Sequence, residues 1–145
     1  MELFLSVDAA WEKTQSTTIA QKPSDFQAPD LLEGVTMKVT YATSRGANLV
    51  FSNDTDLEIE CGDDYSLQAY VDGAWHDVEY IIDNAAFNAI AYTVPQNGTR
   101  SWGVRWTFFH GELPPGDYRI VKSVMDFRGT GDYTIYQLAA EFSIE

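Results

Sequence analysis

Apolar and polar residues alternate with a period of two over most of the chain from Gly34 onward, in short runs separated by turn residues. Such alternation places the apolar side chains on one face of a half-buried β-strand. The runs occupy residues 35–41, 49–51, 57–61, 65–71, 75–82, 101–109, 118–127 and 136–144. About seven to eight antiparallel strands, at spacings of roughly 8–15 residues, predict an all-β sandwich, with a barrel of similar strand count as the alternative.

Two turn signals pair neighbouring runs into hairpins. Asp72-Gly73 tolerates the positive φ angles of a two-residue type I′ turn, so residues 65–71 and 75–82 are predicted to pair. Ser44-Arg45-Gly46 lies between the first two runs and predicts a second antiparallel hairpin. No stretch of helix length places apolar residues at a period of 3.6, which argues against alternating strand and helix units.

The pattern changes after residue 82. In residues 83–90 the alternation stops, and Asp83 and Asn84 precede small residues, which predicts a single helical turn. In residues 101–109 the alternation resumes and places one set of side chains toward the core, namely Trp102, Val104, Trp106 and Phe108.

Residues 1–32 differ from the rest of the chain, because after a short apolar start they are rich in Thr, Ser, Gln, Asp and Pro. We interpret them as an arm that precedes a domain of residues 33–145. The arm is either a disordered tether or leader, or it adds residues 3–7 as an edge strand to the main sheet. Exchange of that strand between protomers would produce an oligomer. Glu2 and the lack of a basic start argue against a secretory signal in this segment.

Charge and cysteine content exclude several classes of partner. The sequence has 22 acidic and 9 basic residues and a formal net charge of −13, so it would repel a nucleic-acid backbone or an anionic membrane. No run reaches the roughly 18 apolar residues that span a bilayer, so no membrane insertion is expected. The single cysteine, Cys61, rules out an internal disulfide, and two histidines argue against a transition-metal site.

Four segments carry a family resemblance, at residues 83–87, 111–122, 126–133 and 138–142. The second of them reads Gly-Glu-Leu-Pro-Pro-Gly-Asp-Tyr-Arg-Ile-Val-Lys and is the most distinctive. Over residues 33–145 the chain resembles bacterial immunoglobulin-like domains. The resemblance implies an immunoglobulin-like β-sandwich that serves as an accessory module of an exported or membrane-anchored protein of Gram-positive bacteria. We therefore expect an extracellular or cell-envelope location, with a signal or anchor outside this chain.

The same distinctive stretch predicts how the core is held. Tyr118, two residues before Ile120, is similar to a tyrosine corner, in which the phenol hydroxyl bonds to upstream backbone and fixes the connection between strands. Ile120 then stands where an antibody domain carries its second cysteine. We expect apolar packing alone to hold the sandwich, without a disulfide.

One flank of the predicted sandwich is strongly acidic, because residues 46–99 contain no lysine or arginine. Asp54 and Asp56 lie in one turn, and Asp63 and Asp64 lie in the next. Calcium prefers carboxylate and carbonyl oxygens on turns, so one hypothesis is that the four aspartates converge on a calcium site. The alternative is a solvated acidic face that keeps the domain soluble. The sequence has no EF-hand spacing, and no other cofactor is expected.

Arg128 is a candidate ligand contact, because it lies between two acids and two glycines in the loop of residues 126–133. The alternative is a plain hairpin turn in which glycine supplies the positive φ angles. In that case Arg128 pairs with Asp126 or Asp132.

Aromatic side chains offer a second candidate surface, since their flat apolar faces stack on sugar rings. Trp75, beside its hairpin turn, and Tyr70 are the candidates for an exposed platform. The wider aromatic set includes Tyr65, Tyr80, Trp102 and Trp106. Because Trp102 and Trp106 share a strand face with other apolar residues, we expect those two in the core.

The sequence has no G-x-S-x-G, no H-E-x-x-H and no phosphate-binding glycine loop. Cys61 lies close to acidic residues, which raise the pKa of a thiol rather than activate it. We therefore predict a non-enzymatic interaction or spacer module whose partner is a protein or a cell-wall component. The alternative is a carbohydrate-binding module with exposed aromatics, and a hydrolase with paired carboxylates is the third candidate.

Overall fold

The computed structural model describes residues 17–145. Within these residues the chain forms nine β-strands and one helical turn. They are β1 (Val35–Thr43), β2 (Gly46–Asn53), β3 (Ile59–Gly62), β4 (Ser66–Val71), β5 (Ala74–Asp77), β6 (Ala91–Val94), β7 (Gly98–Arg105), α1 (Thr107–His110), β8 (Gly116–Gly129) and β9 (Asp132–Ile144). The predicted all-β class is confirmed. The additional strand is β6, which has four residues and lies outside the predicted runs.

The strands form two antiparallel sheets. The smaller sheet has the order β1-β2-β7. In the larger, six-stranded sheet β8 is central: β9 pairs along its length, while β4 and β3 lie end to end along its other side. Beyond them, β5 pairs with β4, and β6 pairs with β3. The immunoglobulin-like sandwich without a disulfide is confirmed, and Cys61 is a free, buried thiol.

Both predicted hairpins form. The β4–β5 turn has positive φ angles at Asp72 and Gly73, as a type I′ turn requires. However, β5 ends at Asp77, five residues earlier than predicted. The chain leaves the sheet there because the backbone N–H of Ile81 donates to the carbonyl of Phe109 in α1, at 2.7 Å.

The core between the sheets is apolar and rich in aromatic rings. Trp106 stacks on Phe142 with ring centroids 5.5 Å apart, and Phe142 stacks on Tyr118 at 5.8 Å. The Tyr118 hydroxyl donates to the Pro114 carbonyl at 2.6 Å, which confirms the predicted tyrosine corner. Ile120 is fully buried beside it. Trp102 and Trp106 are also buried, as predicted.

The helical turn lies elsewhere than predicted. Residues 83–90 form bends and irregular backbone, whereas residues 107–110, predicted as the end of a strand, form α1. The indole N–H of Trp106 donates to the Ser44 carbonyl at 2.8 Å, and the Trp106 carbonyl accepts from the backbone N–H of His110. These bonds end β7 and rotate Phe108 outward, so that it is 61% exposed rather than in the core.

Residues 17–32, which we call the strap, pack against the larger sheet. Ile19 forms a β-bridge with Val78, and the backbone N–H of Ser24 donates to the Trp75 carbonyl. Farther along, the Asp30 carbonyl accepts from the backbone N–H of Gln137 in β9. The strap therefore runs from β5 across the outer face of β8 to β9. The predicted edge strand of residues 3–7 lies outside the described residues.

No helix within residues 17–145 is long and apolar enough to cross a membrane.

Candidate functional site

The predicted aromatic platform lies at the tip of the β4–β5 hairpin. Tyr70 and Trp75 meet edge to face, with ring centroids 4.9 Å apart. The guanidinium carbon of Arg119 lies 4.3 Å from the Trp75 ring centroid and 5.6 Å from that of Phe26 in the strap. Because a buried cation covers the Trp75 ring, Tyr70 is the more accessible member of the pair.

Arg128 lies at the other end of β8. Its guanidinium donates to Asp126 at 2.7 Å, to Asp132 at 3.1 Å and to Thr134 at 3.0 Å. The expected pairing with the neighbouring acids is thus observed with both of them. About ten residues of β8 separate Arg128 from the level of Tyr70 and Trp75, roughly 30 Å in an extended strand. The structure therefore does not bring the three predicted ligand contacts together.

The four aspartates of the calcium hypothesis do not converge. Asp54 and Asp56 precede β3, and Asp63 and Asp64 follow it, so an extended strand of four residues holds the two pairs about 13 Å apart along its axis. Asp56 accepts a hydrogen bond from Asn97, and Asp63 accepts one from the Tyr92 hydroxyl. Among residues 17–145, no group of three or more His, Cys, Asp or Glu side chains is placed to hold a metal ion.

An exposed apolar surface lies on the outer face of the larger sheet, beyond the strap. Cross-strand register places Met125 opposite Ile135 and Phe127 opposite Tyr133. Tyr133 and Ile135 are each about half exposed, and Ile90 lines the same groove as Met125 and Ile135. We call these five residues the hairpin patch. A groove of about 420 Å³ runs between Ile90 and β8, and Glu60 and Asp64 also line it.

A cavity of about 900 Å³ lies between the strap, β4 and the segment that follows β5. Its lining combines aromatic rings, carboxylates and small polar groups, with no lysine or arginine. The residues central to its chemistry are Asp64, Tyr65, Tyr80, Phe87 and His110, with Asp25, Asp77 and Glu79 also in the lining.

Two short segments position the aromatic wall of this cavity, the residues just before β4 and the helical turn α1. Tyr65 immediately precedes β4, and His110 is the last residue of α1. Tyr80 stacks on His110 with ring centroids 4.8 Å apart, and Phe87 meets Tyr65 edge to face at 5.4 Å. The bond between Ile81 and α1 holds the two halves of the wall together.

Within the described part of the chain, two buried side-chain atoms lack a hydrogen-bond partner, and both belong to this wall. They are the Tyr65 hydroxyl and Nε2 of His110. Burial raises the pKa of Tyr65, with a smaller contribution from Tyr80, and burial lowers the pKa of His110. Both side chains are thus held neutral at physiological pH, with unsatisfied hydrogen-bonding capacity.

The sequence places Tyr65 and Tyr80 in an aromatic set but does not connect them with His110. The cavity depends on where α1 forms, and the alternation in residues 101–109 predicted a strand there. A lone histidine next to a predicted strand end gave no signal of its own.

Two buried cations on β8 donate hydrogen bonds to segments that line the cavity. Lys122, which is 1% exposed, donates to the carbonyls of Gly62 and Asp64 at 2.7 and 2.8 Å and lies 3.8 Å from the Trp102 ring centroid. On the outer face, Arg119 donates to the carbonyls of Phe26 and Gln27 and to Gln68. Each cation bonds to main-chain oxygens of an irregular segment, and each segment contributes lining residues to the cavity.

The Cys61 thiol is not activated. Its pKa is raised, first by burial and to a smaller extent by Asp64 and Asp63, while Lys122 and Arg100 oppose the shift. The direction is the one predicted from the neighbouring acids, but burial is the larger cause. A thiol that stays protonated is a poor nucleophile.

Comparison with known proteins identifies the family. No curated protein matches the chain. One match is a solved structure of the Pseudomonas fluorescens alkylpurine DNA glycosylase AlkC, bound to DNA containing an abasic site analog. The two chains have 13% sequence identity and a TM-score of 0.36. The match covers 79% of this chain and 31% of the glycosylase chain. The chain thus spans less than a third of that protein's length. The family model for the bacterial Ig-like domain matches residues 32–143. The matched region is most of the sequence, and the chain belongs to the bacterial Ig-like domain family.

Proposed function

We propose that this chain is a non-enzymatic docking module of a bacterial cell-envelope or secreted protein, and that it binds a partner protein through the hairpin patch. Membership of the bacterial Ig-like family supports the role of an accessory or spacer domain. The exposed apolar patch supports the step from spacer to docking module. The unactivated Cys61 thiol is consistent with a role other than catalysis.

The hairpin patch carries the proposal. The strap covers one end of the outer face of the larger sheet, while Phe127, Tyr133 and Ile135 remain 42–49% exposed at the other end. Contiguous exposed apolar residues with a polar surround are typical of protein interaction sites. Aromatic residues are also enriched at interface centres.

Charge defines the kind of partner. Glu60 is opposite Met125 in the β3–β8 register, and Glu60 and Asp64 line the groove beside the patch. The chain as a whole has a net charge of −13. The complementary surface is therefore apolar at its centre and carries Lys or Arg at its rim.

Site-specific photocrosslinking in the producing bacterium tests this proposal. A photoreactive phenylalanine analogue replaces Tyr133, and the matched control places it at Tyr41, an exposed tyrosine on the opposite sheet. We expect a discrete protein adduct from position 133 only, and its loss when Ile135→Asp is added. Rising salt above physiological strength should weaken the complex, because exposed charges are screened beyond about 8–10 Å.

Four outcomes contradict docking at the hairpin patch. Equal adducts from both positions indicate non-specific contact, and an adduct between two copies of the chain indicates self-association. An adduct to polysaccharide favours the carbohydrate-binding alternative, for which Tyr70 and Trp75 at the other end of the sheet are the corresponding residues. Absence of any adduct leaves only the spacer role.

A further inference from the structure

His110 lines the cavity and carries a hydrogen-bond acceptor that no described residue satisfies. Nδ1 of His110 lies 3.0 Å from the carbonyl oxygen of Glu79. A carbonyl only accepts, so Nδ1 carries the hydrogen, and Nε2 of the neutral ring is left with a lone pair. His110 is 1% exposed, and Nε2 has no partner among the described residues. A group that fills this position must donate a hydrogen bond.

The rest of the cavity favours positive charge. Its lining contains four carboxylates, from Asp25, Asp64, Asp77 and Glu79, and neither lysine nor arginine. An anionic ligand would be repelled, whereas a cation gains Coulomb energy from each carboxylate. His110, Tyr65 and Tyr80 add no charge to the wall at neutral pH, because burial lowers the pKa of His110 and raises the pKa values of Tyr65 and Tyr80.

Aromatic rings are the third feature of the cavity that favours an organic cation. Tyr80, Tyr65 and Phe87 line the same cavity, and their rings are linked through contacts with His110 and with one another. Aromatic faces attract organic cations through the ring quadrupole and also pack against the alkyl part of such a ligand. The Tyr65 hydroxyl, which also lacks a partner, accepts or donates a hydrogen bond.

We propose that this cavity binds a primary ammonium group carried on an alkyl chain, with His110 Nε2 and the Tyr65 hydroxyl as acceptors and the surrounding carboxylates as counter-charges. A primary ammonium provides three N–H donors and a positive charge. A quaternary ammonium lacks the donors, a neutral alcohol lacks the charge, and a carboxylate has the opposite charge. These differences define the test.

The main competing explanation is internal. The ring centroids of Tyr65 and His110 are 6.0 Å apart, so a small rotation would allow the Tyr65 hydroxyl to bond to Nε2 directly. In that case the two groups satisfy each other and require no ligand. The experiment therefore observes the Nε2 atom itself.

We would record the nitrogen resonances of ¹⁵N-histidine-labelled protein at pH 7.5 while adding butylammonium, tetramethylammonium, butanol or butyrate. We expect butylammonium to shift the His110 Nε2 resonance to saturation, with at least tenfold weaker effects from the other three probes. His76 is the internal control, since it is also buried, bonds to the Ala20 carbonyl and does not line the cavity. Its resonances should not move.

One variant separates the ligand from the internal bond. Tyr65→Phe keeps the ring and should weaken butylammonium binding, read from the His110 Nε2 resonance, about tenfold. The proposal is overturned if butanol saturates equally well, if His76 shifts together with His110, or if no probe shifts Nε2. It is also overturned if Nε2 is already hydrogen-bonded in the free protein and Tyr65→Phe abolishes that bond.

Discussion

Removal of one hydroxyl from the tyrosine corner tests how this sandwich is held without a disulfide. In Tyr118→Phe the ring remains, so its stacking on Phe142 at 5.8 Å is preserved. The single loss is the hydrogen bond from the hydroxyl to the Pro114 carbonyl at 2.6 Å. That bond joins the start of β8 to the turn before it, where the chain reverses between the sheets.

The structure sets the size of the expected effect. A typical hydrogen bond contributes about 0.5–1.5 kcal/mol net to stability, and a buried acceptor left without a donor costs about 1–3 kcal/mol. Pro114 is exposed, so water can reach its carbonyl once the hydroxyl is gone. We therefore expect Tyr118→Phe to lower the free energy of unfolding by about 0.5–1.5 kcal/mol, a fall in Tm of roughly 1–6 °C for a domain of this size.

Urea unfolding followed by tryptophan fluorescence measures this change, with Tyr41→Phe as the matched control because its side chain is 65% exposed. Tyr118→Leu also removes the ring and should cost about 2–3 kcal/mol, since the stacked pair and some packing volume are lost. If Tyr118→Phe changes stability by no more than Tyr41→Phe does, the corner bond is not a determinant of this fold. If the Phe and Leu variants lose equal stability, the ring stack contributes nothing beyond the hydroxyl.

Three further predictions follow from buried or separated charges. Burial lowers the pKa of His110, so the unfolded chain takes up a proton before the folded chain does as the pH falls below about 6.5. The free energy of unfolding should decrease there by up to about 1.4 kcal/mol per pH unit. Urea unfolding of wild type and His110→Gln at pH 7.5 and pH 5 isolates this contribution. Arg119→Met should make the strap amides exchange at least tenfold faster in hydrogen-exchange mass spectrometry, with partial recovery in Arg119→Lys. Unchanged protection of the strap amides would show that Arg119 does not hold the strap in place. Millimolar calcium should leave Tm unchanged, because β3 separates the two aspartate pairs, and a rise of several degrees that a chelator reverses would contradict this geometry.

The regular parts of the fold were accessible from the sequence because each depends on local chemistry. The β4–β5 hairpin follows from Asp72-Gly73, which adopts positive φ at both positions. The tyrosine corner at Tyr118 follows from the turn at Pro114, which ends just before β8 begins. In both cases the residues that determine the structure lie within a few positions of it.

The parts that were not predicted depend on contacts distant in sequence. β7 ends where the Trp106 indole reaches the carbonyl of Ser44, 62 residues away, and this contact turns Phe108 outward. The cavity brings Tyr65, Tyr80 and His110 together through the packing of α1 against the segment after β5. Alternation within one run contains no information about such pairings.

The two buried cations of β8 explain how irregular segments are fixed in a domain that has no disulfide. Arg119 and Lys122 lie on opposite faces of the strand, and each bonds to two backbone carbonyls, Arg119 in the strap and Lys122 in the β3–β4 connection. Because these acceptors belong to the main chain, the bonds constrain the path of the loop whatever its side chains do. Both segments border the 900 Å³ cavity.

Lys122→Met tests this role of the cations, because it keeps the unbranched stem and removes only the ammonium group. Two charge-assisted bonds of about 1.5–3 kcal/mol each are lost, but the cost of burying the ion, several kcal/mol, is lost as well, so global stability should change little. Loop order should change instead: amides of residues 62–65 should exchange at least tenfold faster, and butylammonium should bind the cavity more weakly. If residues 62–65 keep their protection while the whole domain loses stability, Lys122 contributes to the core rather than to the loop. If protection is lost without any effect on binding, the cavity wall does not need the constraint that the buried ammonium supplies.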